Sequence, residues 1–246
     1  MGTALGDKAV VTAFKVGNRV AGLTPPGLVR PVLGAASRVA PKVSPERRLI
    51  VERNLRRVRG DSLAGPELDA AVAATFESYA RYYFDSFRLT SMSIEEVDAG
   101  FTVEGLEHIE NALADDPVGP ILALPHLGGW EWAAYWIARV KGWKIAAVAE
   151  ALSPPELFEW FLEFRTSIGL NIIPVGPDAV TSVTEAVADG QIMCLLSDRD
   201  ITGGGVPVTF FGEETTLPAG PAVMSLRGGC ALLPTAVYFS ETGVHG

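Results

Sequence analysis

Histidine and cysteine are scarce in this sequence of 246 residues, which holds three histidines and two cysteines. Cys194 and Cys230 are isolated within apolar segments, so we expect buried, reduced thiols rather than a disulfide. Reduced thiols suit a cytoplasmic compartment. The histidines and cysteines do not have the spacing of a metal site, and we therefore expect no metal centre.

Several motifs of well-known enzyme classes are also missing. The sequence contains no G-x-S-x-G, no G-x-x-x-x-G-K-[S/T] and no G-x-G-x-x-G pattern. These absences argue against an α/β-hydrolase and leave the binding of a nucleoside triphosphate or a dinucleotide unsupported.

No run of about 20 apolar residues is present that could cross a bilayer as a helix. The chain is nevertheless apolar for a soluble protein, at 48% hydrophobic residues and a mean hydropathy of +0.24. Its most apolar stretch, residues 120–138, carries His126 and Glu131 in the middle. The N-terminus lacks an apolar run followed by a small-residue cleavage site, so we expect no signal peptide.

The net charge of −9 is unevenly distributed along the chain. Residues 1–60 contain 12 Lys and Arg against 3 Asp and Glu, a net of +9, whereas residues 61–246 contain 8 against 26, a net of −18. A basic arm on an acidic protein suggests nucleic acid or an anionic membrane as partner. Apolar residues and few aromatics separate the basic ones, which favours a membrane over nucleic acid. A core-packed helix with a solvated basic face would explain the predicted helix 7–23 equally well.

The periodicity of apolar residues predicts helices up to about residue 89 and then an alternation of strands and helices. Alternation of this kind indicates an α/β fold with a mostly parallel central sheet flanked by helices. We therefore predict a basic, membrane-facing helical region over 1–95, packed on an α/β core over 96–246 that is truncated at its C-terminus. The predicted strands are 101–104, 121–124, 144–148, 171–174, 192–197, 206–210 and 231–238; the predicted helices are 7–23, a second to about 39, 46–59, 64–89, 106–114, 129–140, 154–168, 179–188 and 218–227.

The most informative segment runs from Leu122 to Glu131, with the sequence LALPHLGGWE. A buried strand is followed by His126 in a loop, and Gly128 and Gly129 lead into a helix. In open α/β sheets, ligands bind beside the carboxyl ends of the strands, and glycines there let a ligand approach the backbone closely. Glu131 lies in the first helical turn, where its carboxylate could orient the imidazole of His126. A structural loop histidine is the alternative.

The spacing His126-x4-Glu131 resembles the H-x4-[D/E] motif of the glycerolipid acyltransferase superfamily. With its neighbours it resembles the bacterial late acyltransferases of lipid A, and still more the actinobacterial phosphatidylinositol mannoside acyltransferases. Later segments match in order, which makes the resemblance more specific than the bare motif. These are Phe164 to Gly169, Leu196 to Asp200, Phe210 to Gly212, Thr216 to Pro221 and Leu233-Pro234.

The resemblance implies transfer of a fatty acyl group, such as palmitoyl, from acyl-CoA to a hydroxyl of a glycolipid, in particular a mannose of a phosphatidylinositol mannoside. His126 would be the general base, held by Glu131 or Asp200, with direct transfer and no cofactor. The family pattern would have Asp at 131 and Glu at 200, which leaves the relative roles of these two carboxylates open. The expected substrate-binding residues are Gly128, Gly129, Trp130, Arg165, Asp198 and Arg199.

Arg165 and Arg199 are the only basic residues between Lys144 and Arg227. We expect them, and Arg165 in particular, to bind phosphate of CoA or of the acceptor; a salt bridge to a nearby acid is the alternative for each. The enzyme would work as a peripheral protein on the cytoplasmic face of the plasma membrane, with residues 1–60 on anionic lipid. Two further alternatives are another acceptor, such as a lysophospholipid or a lipid A-type glycolipid, and a non-catalytic lipid-binding protein.

Overall fold

The computed structural model describes residues 4–115, 117–201, 203–240 and 243–246. The helices are α1 (Ala4–Leu23), α2 (Pro26–Val43), α3 (Pro45–Arg59), α4 (Gly65–Arg88), α5 (Ile94–Ala99), α6 (Leu106–Asp115), α7 (Trp130–Tyr135), α8 (Pro155–Ser167), α9 (Ala179–Ala188) and α10 (Gly220–Gly228). The strands are β1 (Phe101–Thr102), β2 (Ile121–Leu124), β3 (Ile145–Ala149), β4 (Leu170–Pro174), β5 (Ile192–Leu196), β6 (Val206–Phe210), β7 (Glu213–Leu217), β8 (Leu232–Pro234), β9 (Tyr238–Phe239) and β10 (Val244–His245).

Five parallel strands form the central sheet, in the order β4-β3-β5-β2-β8. Strands β2, β3 and β5 are continuous apolar runs, as expected where helices cover both faces of a sheet. Leu122 and Leu124 point into one core with α4, α7 and α8, whereas Ile121 and Met193 point into a second core with α9. The predicted fold class is confirmed.

The segment predicted as one strand over 231–238 forms two strands in different sheets. Strand β8 is the edge of the central sheet, and β9 pairs with β10 in a small second sheet that also contains β1. The last bond of β8 to the central sheet runs from the backbone N–H of Thr235 to the carbonyl oxygen of Ala123, and the chain then leaves this sheet. Three short elements, α5, β7 and β10, were not predicted, because their sequences are brief or polar.

The N-terminal helices contact the α/β core through aromatic side chains. Phe14 of α1 packs edge-on against Phe161 of α8, and Phe87 of α4 packs against Trp160 of α8. Lys15 and Arg19 of α1 are exposed, as its basic face predicted. The boundary near residue 95 between two regions stays a prediction. Among the described residues, no helix combines the length and the apolar character that crossing a membrane requires.

Candidate active site

His126 and Asp198 meet because they follow neighbouring parallel strands. In the register of β2 and β5, Leu124 is opposite Leu196, and each functional residue comes two positions after its strand partner. His126 Nδ1 lies 2.7 Å from Asp198 Oδ1, and both side chains are partly exposed, at 43% and 33%. A carboxylate accepts only, so Nδ1 carries the proton and Nε2 is left as a proton acceptor. This pair has the geometry of an oriented general base.

The loop after His126 depends on two glycines for contacts within the chain. Gly128 has φ +55°, and a Cβ there would lie 2.4 Å from the carbonyl oxygen of Val237 and 2.6 Å from Tyr238 Cα. Gly129 is buried, and a Cβ on it would lie 3.2 Å from the ring of Phe239. Close approach of a ligand to the backbone stays a prediction for Gly128, which also lines the cavity described below, but a Cβ at this position has no room. The segment that leads into β9 occupies that space.

Glu131 does not contact His126 in the described structure, so the expected contact between them is wrong. Its carboxylate is 1% exposed and accepts hydrogen bonds from the hydroxyl of Tyr82 at 2.8 Å and from Ser86 at 3.4 Å. Arg165 Nη2 forms an ion pair with the same carboxylate at 3.0 Å. Helix α7 thus turns Glu131 inward against α4 and α8, away from the histidine loop. Burial and the negative charge of Glu131 raise the pKa of Tyr82 well above its usual range.

Arg165 is committed to this buried network. Its guanidinium also lies over the rings of Trp130, at 4.9 Å, and Phe161, at 5.3 Å, and its side chain is only 16% exposed. Its Nε is buried without a hydrogen-bond partner in the described structure. The sequence-based preference for Arg165 as a phosphate-binding cation is therefore unsupported by its contacts, because its charge is already balanced by Glu131.

Asp200 shapes the loop after β5. Its carboxylate accepts hydrogen bonds from the backbone N–H groups of Gly203 and Gly205, both at 2.9 Å, and from the Thr216 hydroxyl at 2.8 Å. These contacts join the loop to strand β7. Of the three carboxylates considered from the sequence, Asp198 is the one that holds His126, although it was expected to bind substrate.

A cavity of about 1020 Å³ opens beside His126. This volume is at the upper end of the range for ligand pockets, about 300–1000 Å³. Two walls differ in chemistry. The carboxyl ends of the strands supply an apolar wall, formed by Ala147, Val148, Ala149, Ile172, Leu195 and Leu196 with Leu157 and Phe161 of α8. Helix α4 supplies a wall with many hydroxyl groups, formed by Thr75, Ser78, Tyr79, Tyr82 and Tyr83.

Comparison of the sequence with known proteins matches the chain to one family. The model of the bacterial lipid A biosynthesis acyltransferase family matches residues 8–245, almost the whole chain. The chain belongs to this family. A relative named phosphatidylinositol mannoside acyltransferase, from Mycolicibacterium smegmatis, is 35% identical over 242 residues, which are 97% of this chain and 78% of that protein. Two proteins of the same name from Mycobacterium tuberculosis are 36% identical over 200 residues, 78% of this chain and 62% of theirs.

Two exposed arginines line the cavity of this acyltransferase. Arg199 follows Asp198 directly, and Arg59 ends helix α3. Neither forms an ion pair with a carboxylate in the described parts of the chain, in contrast to Arg165. Arg59 was counted in the sequence only as part of the basic arm. Its position at the cavity follows from the packing of α3 beside α4, which no local sequence signal indicates.

Proposed function

We propose that this protein transfers a fatty acyl group, such as palmitoyl, from acyl-CoA to a hydroxyl of a glycolipid, a mannose of a phosphatidylinositol mannoside. The observation that carries this proposal is the His126–Asp198 pair at the side of a large cavity with an apolar wall. Family membership supports the acyl transfer. The names of the relatives support the choice of acceptor.

The proposed reaction uses one base and forms no acyl-enzyme intermediate. Nε2 of His126 takes the proton of the acceptor hydroxyl as its oxygen attacks the thioester carbonyl carbon. The resulting tetrahedral intermediate collapses, the C–S bond breaks, and the proton passes from His126 to the departing thiolate of CoA. Asp198 keeps Nδ1 protonated before the reaction and stabilises the imidazolium while it exists. General acid–base catalysis of this kind contributes about 10²–10⁴-fold.

The two walls of the cavity suit the two substrates. The apolar wall fits an acyl chain, since each buried CH₂ group contributes about 0.8 kcal/mol. The hydroxyl groups of Tyr79 and Tyr83, 3.2 Å apart, lie on the wall formed by α4, where a sugar headgroup can exchange hydrogen bonds with them. Arg199 and Arg59 are the cations available to a phosphate of CoA or of the acceptor.

The same proposal includes a peripheral location on the cytoplasmic face of the plasma membrane. Helix α3 carries six arginines and has no buried residue, and the four that form no ion pair in the described chain are available to anionic headgroups. Each basic residue near an anionic surface contributes about 1 kcal/mol.

The test is acyl transfer from palmitoyl-CoA to a purified phosphatidylinositol mannoside dispersed in detergent. CoA release is measured by a thiol reagent, and the acylated product by mass spectrometry. We expect acceptor-dependent release in the wild type, loss of it in His126→Ala, and normal release in His108→Ala, a matched control whose histidine is exposed on α6. Equal rates for wild type and His126→Ala would contradict the proposed base. Lipid binding without any CoA release would favour the non-catalytic alternative.

A further inference from the structure

The β6–β7 hairpin carries two exposed aromatic rings at its tip. The two strands pair only with each other in the described structure, and most of their residues are exposed. Phe210 is 56% and Phe211 51% exposed, with their rings edge to face at 4.6 Å. Both turn residues have positive φ, +50° at Phe211 and +77° at Gly212, a geometry that usually selects Asn or Gly rather than an aromatic residue. The hairpin therefore presents apolar surface that its own fold does not use.

An ion pair links the tip of the hairpin to the basic helix α3. Phe210 is opposite Glu213 in the hairpin, and Glu213 forms an ion pair with Arg57 of α3 at 2.6 Å. The other acidic side chain beside the turn, Glu214, accepts a hydrogen bond from Thr209 at 2.6 Å. Glu213 is thus paired with a cation and Glu214 is hydrogen-bonded within the hairpin. The cationic helix α3 lies next to the aromatic pair.

Helix α3 has the character of a surface that faces anionic lipid. Leu49 and Ile50 are each 58% exposed, and no residue of the helix is buried. Of its six arginines, Arg48 and Arg57 pair with carboxylates in the described chain, and the remaining cations are Arg47, Arg53, Arg56 and Arg59. Exposed apolar side chains among arginines are typical of elements that lie in a headgroup layer.

Residues beside both elements line the cavity next to His126. Arg59, at the end of α3, lines the cavity, as do Ile201 and Pro218 on either side of the hairpin. We propose that Phe210 and Phe211 insert into an anionic bilayer while the α3 arginines bind its headgroups, so that the cavity opens at the lipid surface. This proposal rests on the proposed function, because it gives the lipid acceptor a direct route to His126. The apolar pair and its cationic border together favour a bilayer as the occupant.

Depth of insertion can be measured at the tip itself. The native thiols are protected, since Cys194 and Cys230 are 5% and 7% exposed, so Phe211→Cys can be labelled selectively with an NBD fluorophore. With vesicles of phosphatidylcholine and phosphatidylglycerol, we expect a blue-shifted, brighter emission and quenching by lipids that carry a doxyl group on the acyl chain. The control is Val180→Cys, 54% exposed on α9, which packs on the second core, on the other face of the sheet from α4 and α8, and should show neither change. Unchanged emission at position 211 on vesicles that retain the protein would overturn the proposal.

A second variant separates this proposal from the proposed function. Phe210→Ser with Phe211→Ser should lower co-sedimentation with the same vesicles at least tenfold and lower acyl transfer to a vesicle-borne acceptor. Its transfer to the detergent-dispersed acceptor should stay at the wild-type rate. If the double variant co-sediments with vesicles as well as the wild type does, insertion of the hairpin tip is contradicted, even if the enzyme is active. If the wild type itself transfers no acyl group to the detergent-dispersed acceptor, the proposed function is contradicted instead. The NBD emission at position 211 still reports on insertion in that case.

Discussion

Removal of Arg165 should destabilise the protein strongly, because it leaves a buried carboxylate without its cation. Glu131 is 1% exposed and Arg165 16% exposed, so solvent screens this pair little. Removing one partner of a buried ion pair costs about 3–5 kcal/mol. For a protein of 246 residues, each kcal/mol lowers Tm by about 2–4 °C. We therefore expect Arg165→Leu to lower Tm by about 6–20 °C.

Thermal unfolding followed by circular dichroism gives Tm, and a double-mutant cycle by urea unfolding gives the free energies of unfolding. Glu131→Gln removes the charge and keeps an oxygen that can accept the hydrogen bond of Tyr82. The double variant should recover much of the stability that Arg165→Leu loses, because no unpaired charge remains buried. The matched control is Lys144→Met, which breaks a pair whose side chains are 65% and 60% exposed and should change stability little.

Two results would refute this reasoning about the buried network. One is a decrease in the free energy of unfolding for Arg165→Leu that is no larger than the decrease for Lys144→Met. The other is additivity, in which the double variant is as unstable as the sum of the two single variants. Either result would mean that the pair is hydrated in solution, and that Arg165 is free to bind a phosphate group as its sequence position first suggested.

Three further predictions follow from the cavity and the core. Arg199→Gln should raise KM for acyl-CoA about tenfold, since a charge-assisted hydrogen bond contributes about 1.5 kcal/mol or more; an unchanged KM in steady-state kinetics would show that Arg199 does not contact the donor. Ala149→Phe narrows the cavity at its apolar wall, so kcat/KM across a series of acyl-CoA donors should shift in favour of shorter chains, by about fourfold per CH₂ group excluded. An unaltered chain-length preference would place the acyl chain elsewhere. Cys194 should resist iodoacetamide at pH 8 until the protein unfolds, because burial raises the pKa of its thiol to about 12 and the reactive thiolate forms only near that pH; rapid native labelling counted by mass spectrometry would contradict this.

The sequence predicted the core strands well because burial on both faces leaves a plain signal. Ile121–Leu124 and Ile192–Leu196 are uninterrupted apolar runs, and each ends at a loop with polar residues. The sequence also placed His126 at a carboxyl end of the sheet. It could not show that β2 and β5 are neighbours, and that adjacency selects Asp198 as the partner of His126.

The role of Glu131 could not be predicted from its spacing to His126. A residue in the first turn of a helix can face the preceding loop or the core, and the choice depends on partners distant in sequence. Tyr82 is 49 positions away and Arg165 34 positions away, and together they hold Glu131 inside. The hydroxyl groups on α4 were not predicted to line the cavity, because aromatic residues at helical spacing usually indicate core packing.

The most direct test of the central claim compares Asp198→Asn with Glu131→Gln in acceptor-dependent CoA release, with rates corrected for the folded fraction. An Asn at 198 cannot stabilise the imidazolium of His126, and we predict a fall in kcat of about 10²–10⁴-fold. Glu131→Gln should keep kcat within about tenfold of wild type, because Glu131 supports the fold and does not contact His126. Full activity in Asp198→Asn, or an equal loss in Glu131→Gln, would contradict the assignment of Asp198 as the residue that orients the catalytic base.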